Sequence, residues 1–238
     1  MQGGLFLRSK IKWLFALFLL GVVIYGSYTL SQYVAGNEVN KKEADVIIDV
    51  GHGGSDPGKI GVNKALEKDI NLEIAKKVRA ILKEKGISVL MTREKDEGLA
   101  SGSASNKKVE DMKERVKLIN EVKPKLTVSI HQNSYQTEDV KGAQVFYYSH
   151  SQKGEEMAKI LQEAVRKVDS TNKRQAKAND TYYLLKRTEV PTIIVECGFL
   201  SNWEEAQKLI DEEYQQKMAE AVCDGILTCL GEDTDEKK

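Results

Sequence analysis

Short apolar runs of strand character alternate with helix-patterned segments from about residue 45 to residue 230, and this alternation restricts the chain to few architectures. Strands separated by helical crossovers imply a largely parallel sheet covered on both faces. Asp45-Val-Ile-Ile-Asp49 opens the series and runs into Gly51. From Leu66 to Lys85, apolar residues at Ile70, Ile74, Val78 and Ile81/Leu82 form a helical stripe that stops at Gly86. Ile87 to Met91 reads as a second strand. A helix is expected from Lys107 to Glu121, carrying Val109, Met112, Val116 and Ile119, and a third strand from Leu126 to Ile130. A strand from Ala143, a helix from Gly154 and a last apolar strand, Thr192-Ile-Ile-Val-Glu196, follow. Two helices, about 204–210 and 214–230, close the chain. The expected fold is α/β: one domain, a mostly parallel twisted sheet, helices on both faces.

Before this domain, Arg8, Lys10 and Lys12 precede an apolar run of 13 residues from Trp13 to Tyr25, and the uncharged stretch reaches 18 residues at Leu30. A basic flank and an apolar core of that length form an export signal, and the longer stretch is just sufficient for a membrane anchor. No clean small-residue cleavage site separates the two readings. In both, the positive flank stays in the cytoplasm and the rest is translocated. The protein is therefore expected outside the cytoplasm, secreted or held at the membrane by its N-terminus. Expected boundaries are 1–35 for the signal or anchor, 36–44 for a polar linker, 45–230 for the catalytic domain and 231–238 for a polar, disordered tail.

Three expected strands lead into reactive residues: His52 after the first, His131 after the third, Glu196 at the last. Ligands of open α/β sheets bind beyond the carboxyl ends of strands, so these residues converge although far apart in sequence. His52 sits in Gly51-His52-Gly53-Gly54, where glycine allows a sharp turn. Two histidines and one carboxylate with an open position make a hydrolytic zinc site. Glu67, at the start of a helix, can supply the carboxylate, although alone it reads rather as an acid favoured by the helix dipole. Glu196 ends an apolar run, where burial raises a carboxyl pKa and suits it to general-base work. A salt bridge to Arg93 or Arg115 is the structural alternative. Asp49 is a candidate to orient a histidine ligand, and Asn133 either touches substrate or shapes its turn. The loop from Glu94 to Asn106 is a candidate groove border. His150, the third histidine, is expected in an exposed loop.

Lys+Arg and Asp+Glu balance at 36 each, which leaves no basic footprint for nucleic acid. The cysteines Cys197, Cys223 and Cys229 form no C-x-x-C pair, which excludes a four-cysteine zinc knuckle. On one helix, Cys223 and Cys229 stand about 9 Å apart along the axis, too far for a disulfide, so all three thiols are expected reduced.

The motifs Ile48-Asp-Val-Gly-His-Gly-Gly-Ser-Asp-Pro-Gly58, Leu66-Glu-Lys-Asp69, Met91-Thr-Arg93, Ser129-Ile-His-Gln-Asn133 and Val195-Glu-Cys-Gly-Phe-Leu-Ser-Asn202 occur in this order. Together they resemble the zinc-dependent N-acetylmuramoyl-L-alanine amidases of the Amidase_3 type. That family usually has proline where Val50 stands. The resemblance implies one Zn2+ held by His52, Glu67 and His131, with Glu196 as catalytic acid/base. It implies peptidoglycan as substrate and cleavage between N-acetylmuramic acid and L-alanine. Leu66-Glu-Lys-Asp69, the stretch from Glu110 to Asn120, Gly142-Ala-Gln-Val-Phe-Tyr-Tyr148 and Gly198-Phe-Leu-Ser-Asn202 look like the family's sporulation amidases. Those act on spore cortex so that muramic-δ-lactam forms, in the forespore intermembrane space, and an activating protein partner is a further expectation. The remaining alternatives are another zinc peptidase of cell-wall peptides, a non-haem iron oxygenase, a cysteine hydrolase built on Cys197, and a catalytically silent peptidoglycan-binding protein.

Overall fold

Parallel pairing of strands far apart in sequence sets the architecture. The computed structural model describes residues 18–27, 43–101 and 105–232. Residues 18–27 are helical (α1). The rest of the expected signal or anchor, most of the linker, and residues 233–238 of the expected tail lie outside the described residues. Among the described residues no helix is long and apolar enough to cross a membrane.

The domain follows the order β1 (Val46–Val50), α2 (Glu67–Glu84), β2 (Val89–Met91), α3 (Lys107–Val122), β3 (Leu126–Asn133), β4 (Gln144–Tyr148), α4 (Gln152–Arg166), β5 (Lys177–Asn179), α5 (Tyr183–Arg187), β6 (Thr192–Phe199), α6 (Trp203–Leu209) and α7 (Glu212–Leu230). Six strands form one sheet in the order β2-β1-β3-β6-β4-β5. β1 pairs parallel with β2 and β3, and β3 pairs parallel with β6. β4 runs antiparallel to β6 and carries β5 parallel at the edge. The expected mostly parallel sheet is what forms.

The strands are buried on both faces, as sheets with helical crossovers require. One face carries Val46, Ile48, Val50, Leu126, Val128, Ile130, Ile193, Val195 and Cys197, packed with residues of α2, α4 and α7. The other face carries Ile47 beneath α3 and α5, and Phe146 and Ile194 beneath Leu185. The same face also turns polar, with Asp49, Ser129, His131 and Glu196 at alternating positions near the strands' carboxyl ends.

Three boundaries differ from the sequence pattern for visible reasons. β2 loses Ile87 and Ser88, because Ile87 N–H closes the end of α2 on the Leu82 carbonyl at 3.0 Å. β3 and β6 run on to Asn133 and Phe199, because their extensions pair with each other at the sheet centre. His131 therefore lies within its strand, not after it, and Glu196 inside β6 instead of at its end. β5 and α5 carry no sequence signal: three edge residues, Lys177-Ala178-Asn179, and one short turn of helix.

Candidate metal centre and active site

Three neighbouring strands and one helix start deliver the site. β1, β3 and β6 lie side by side, with Val50 opposite Ile130 and His131 opposite Glu196. His52 follows β1 with φ 61°, in the left-handed region that non-glycine residues seldom adopt. The turn is held by two buried arginines. Arg115 donates to the carbonyls of Val50 (2.6 Å) and His52 (2.8 Å), and Arg93 to those of Gly51 (3.1 Å), His52 (2.8 Å) and Lys68 (2.7 Å). Thr92 accepts the Val50 N–H at 2.9 Å, a bond that the family's usual proline cannot make.

Glu67 opens α2 and is buried. Its Oε1 lies 3.1 Å from Nε2 of His52 and 2.9 Å from Nδ1 of His131. The Gln132 N–H donates to the same oxygen at 3.1 Å. This donor is free because the β3–β6 register shifts between His131 and Asn133, a bulge of the kind common beside active sites. Oε2 accepts the Lys59 N–H at 2.7 Å. Burial works against ionisation of Glu67, but the hydrogen bonds from His131 and His52 outweigh it and hold the carboxyl well below the usual range. Burial likewise opposes charge on His131, and Glu67 overcomes it, raising the imidazole above its ordinary value.

One ligand atom from each of His52, Glu67 and His131 lies within 4.8 Å of the others. The two imidazoles meet edge to face, centroids 5.0 Å apart. Two neutral nitrogens and one carboxylate oxygen are the donor set of hydrolytic metal sites, so this cluster can hold a divalent metal. The backbone behind the cluster packs closely against it. A Cβ at Gly51 would overlap the His131 imidazole, and one at Gly58 (φ 69°) would press on Glu67 and His52.

The orienting partner of His52 is Asp56, whose Oδ2 meets Nδ1 at 2.9 Å. Asp56 also accepts from Gly58 N–H and pairs with Lys108 at 3.2 Å. Asp49, the sequence candidate for that task, is engaged elsewhere: it pairs with Arg115 at 2.7 Å and accepts from Ser129 Oγ at 2.5 Å. Burial opposes its ionisation, but Arg115 and Ser129 hold it lowered. A hint of Asp56 is present in the sequence, four residues after His52 in a glycine-rich turn, but the fold-back that joins them is not.

Glu196 is not salt-bridged, since both arginines are committed to the His52 turn and Asp49. Its Oε2 is buried without a hydrogen-bond partner among the described residues. Burial pushes its pKa up to about 7, further raised by Glu67 and moderated by the two histidines. Such a group sits poised between acid and base near neutrality. It lines a cavity of about 570 Å³ together with His52, Glu67, His131, Lys108 and Tyr182.

Asn133 also lines this cavity, while its Oδ1 accepts Ser134 N–H at 2.8 Å and shapes the turn. Gly98, Ala100 and Ser101 of the 94–106 loop border an adjacent cavity that shares Asp56 and Lys108; residues 102–104 lie outside the described residues. His150 is exposed and packs edge-on with Tyr148, away from the cluster. Cys197 is fully buried on the opposite face of β6, and burial raises its thiol far above the ordinary value, so it is no nucleophile. All three cysteines are free.

Residues 46–228 match the profile of the N-acetylmuramoyl-L-alanine amidase family. The chain belongs to this family. It is 39% identical over 239 residues to the germination-specific N-acetylmuramoyl-L-alanine amidase of Bacillus subtilis (strain 168), spanning 96% of this chain and 99% of that one. Among solved structures, it is similar to the CwlD amidase of Clostridioides difficile, determined in complex with the GerS lipoprotein. That match has a TM-score of 0.76 and 39% identity, and covers 79% of this chain and 99% of the other. The amidase AmiC2 of Nostoc punctiforme gives a TM-score of 0.69 and 34% identity, over 78% of this chain and 96% of that one.

Proposed function

We propose that this protein is a zinc-dependent N-acetylmuramoyl-L-alanine amidase, with His52, Glu67 and His131 holding one Zn2+ and Glu196 acting as the catalytic acid/base. The observation that carries this reading is the unpartnered, buried Oε2 of Glu196 in the same cavity as the His–Glu–His cluster. A carboxylate left without a partner in a core is unfavourable unless it has a reactant to meet.

When bound, zinc polarises the scissile carbonyl and acidifies a water. Glu196, beside His131 in register, takes the proton of the attacking water. It then returns that proton to the nitrogen of L-alanine as the amide C–N bond breaks. Asp56 holds the Nδ1–H of His52, which leaves Nε2 as the free donor of an electron pair. The Arg93 and Arg115 hydrogen bonds keep the His52 turn in place during this exchange.

The substrate of this reading is peptidoglycan, and the resemblance to the germination-specific relative favours spore cortex, in the step leading to muramic-δ-lactam. The lipoprotein complex of the Clostridioides relative favours an activating protein partner. The basic-then-apolar segment within 1–35 supports export, by a cleaved signal or an anchor, with 45–230 as the catalytic domain and action outside the cytoplasm.

The test is digestion of vegetative and cortex peptidoglycan by the full chain, with and without added zinc, followed by mass spectrometry. Zinc-dependent release of peptides beginning with L-alanine, lost in Glu196→Gln, is the expected result. Cleavage at another bond, or none with zinc bound and an activating lipoprotein partner supplied, would overturn it.

A further inference from the structure

Tyr182 stands in the cavity with its hydroxyl uncommitted. It follows β5 and caps the short helix α5. Its backbone is fixed by an Asx turn: Oδ1 of Asn179 accepts the N–H groups of Thr181 (2.9 Å) and Tyr182 (2.8 Å). Its ring packs edge-on against Phe146, centroids 5.6 Å apart, in the cluster formed by Phe146, Leu185 and Ile194. Ile194 and Glu196 point to the same face of β6, one step of about 6.6 Å apart, and both line the cavity with Tyr182. The ring thus packs on the sheet face that carries the catalytic carboxylate, in the wall of the same cavity.

Among the described residues the phenol hydroxyl has no hydrogen-bond partner. Tyr182 is half-buried, so its hydroxyl is open to solvent and to a ligand of the cavity it lines. The long cationic donors around the cavity are engaged or exposed, which leaves the phenol of Tyr182 beside the shorter side chains of Asn133 and Ser134. The Arg115 guanidinium serves Asp49, Asp111 and two carbonyls, Lys108 pairs with Asp56, and Lys59 is exposed. Burial, with the negative charges of Glu196 and Glu67 added, pushes the phenol pKa up to about 12, so the hydroxyl keeps its proton at working pH.

Resting on the amidase reading above, we propose that Tyr182 is a further catalytic residue, whose hydroxyl donates a hydrogen bond to the scissile carbonyl oxygen as that oxygen gains negative charge. Water oxygen bonds to the carbonyl carbon, the C=O π pair moves onto oxygen, and Tyr182 stabilises it there without giving up its proton. The proton lost by the water travels through Glu196 to the alanine nitrogen, and the C–N pair leaves with that nitrogen. A donor aimed at the developing oxyanion acts on the transition state far more than on bound substrate.

Tyr182→Phe retains the ring and its packing on Phe146 and removes only the hydroxyl. In the zinc-loaded full chain, with a muramoyl-peptide substrate, kcat is expected to fall about 10²-fold, with KM within about twofold. Affinity for a phosphinate analogue of the scissile amide, measured by calorimetry, should fall in step with kcat/KM, while zinc content and thermal midpoint stay unchanged. Unchanged kcat, a change confined to KM, or loss of zinc in Tyr182→Phe would each overturn the proposal, while wild-type amidase activity stays intact. Absence of muramoyl–alanine cleavage by the wild type, with the activating partner supplied, would instead overturn the amidase reading, and this proposal with it.

Discussion

Replacing Arg115 by methionine tests how the fold holds the reactive histidine. The guanidinium is 1% exposed and makes four short hydrogen bonds: to Asp49 (2.7 Å), Asp111 (2.5 Å), the Val50 carbonyl (2.6 Å) and the His52 carbonyl (2.8 Å). Methionine fills much of the volume but leaves Asp49, itself 1% exposed, as a buried carboxylate with Ser129 as its remaining partner. Breaking a buried ion pair costs about 3–5 kcal/mol. The two carbonyls add less than two full unmade hydrogen bonds, because Arg93 Nε still reaches both, at 3.2 and 2.8 Å. A net loss of about 4–6 kcal/mol follows. At roughly 2–4 °C per kcal/mol for a domain of this size, the thermal midpoint should fall by roughly 8–24 °C. Urea denaturation of the metal-free full chain, followed by circular dichroism, measures the loss directly. Adding Asp49→Asn removes the stranded charge, so the double variant should recover more than a third of the loss. A single-variant loss below about 1 kcal/mol, or a double variant that loses the full sum of both singles, would refute the clamp.

Glu196 gives a pH signature in the metal-free protein. Its folded pKa of about 7 lies above the ordinary 4.5, so its contribution favours folding fully below pH 4.5 and is lost as pH rises through 7. Glu196→Gln should therefore gain stability on wild type by about 3 kcal/mol at pH 8 and by under about 1 kcal/mol at pH 5, read by denaturation at both pH values. A constant difference would show that the carboxyl is not held in its neutral form by burial. Asp56→Ala removes the 2.9 Å partner of His52 Nδ1 and should weaken zinc affinity by about 10–100-fold without changing secondary structure, measured by competition with a chelating dye. An unchanged affinity would mean that His52 needs no orienting acceptor.

The legible parts of this protein are those with a strong local signal. β1, β3 and β6 are short apolar runs flanked by turn residues, and their alternation with α2, α3 and α4 predicts a parallel sheet. Once that sheet is expected, His52, His131 and Glu196 must gather at its carboxyl edge. Edge strand β5 and helix α5 escaped because a three-residue strand and a five-residue helix are too short to show periodicity. With them went the wall that holds Tyr182. Arg93 and Arg115 read as partners for Glu196, since no local pattern reveals that they bond carbonyls some 40 and 60 positions away. The Gln132 N–H on Glu67 depends on a register shift between two strands, which only pairing creates.

The central claim is that His52, Glu67 and His131 together hold one zinc ion. Its most direct test is the metal content of the dialysed full chain, by mass spectrometry, for wild type and for His52→Ala, Glu67→Ala and His131→Ala. One zinc per wild-type chain, lost in each variant while circular dichroism stays unchanged, is the expected result. Stoichiometric zinc in the variants, or no zinc in the wild type at micromolar free metal, would contradict the claim.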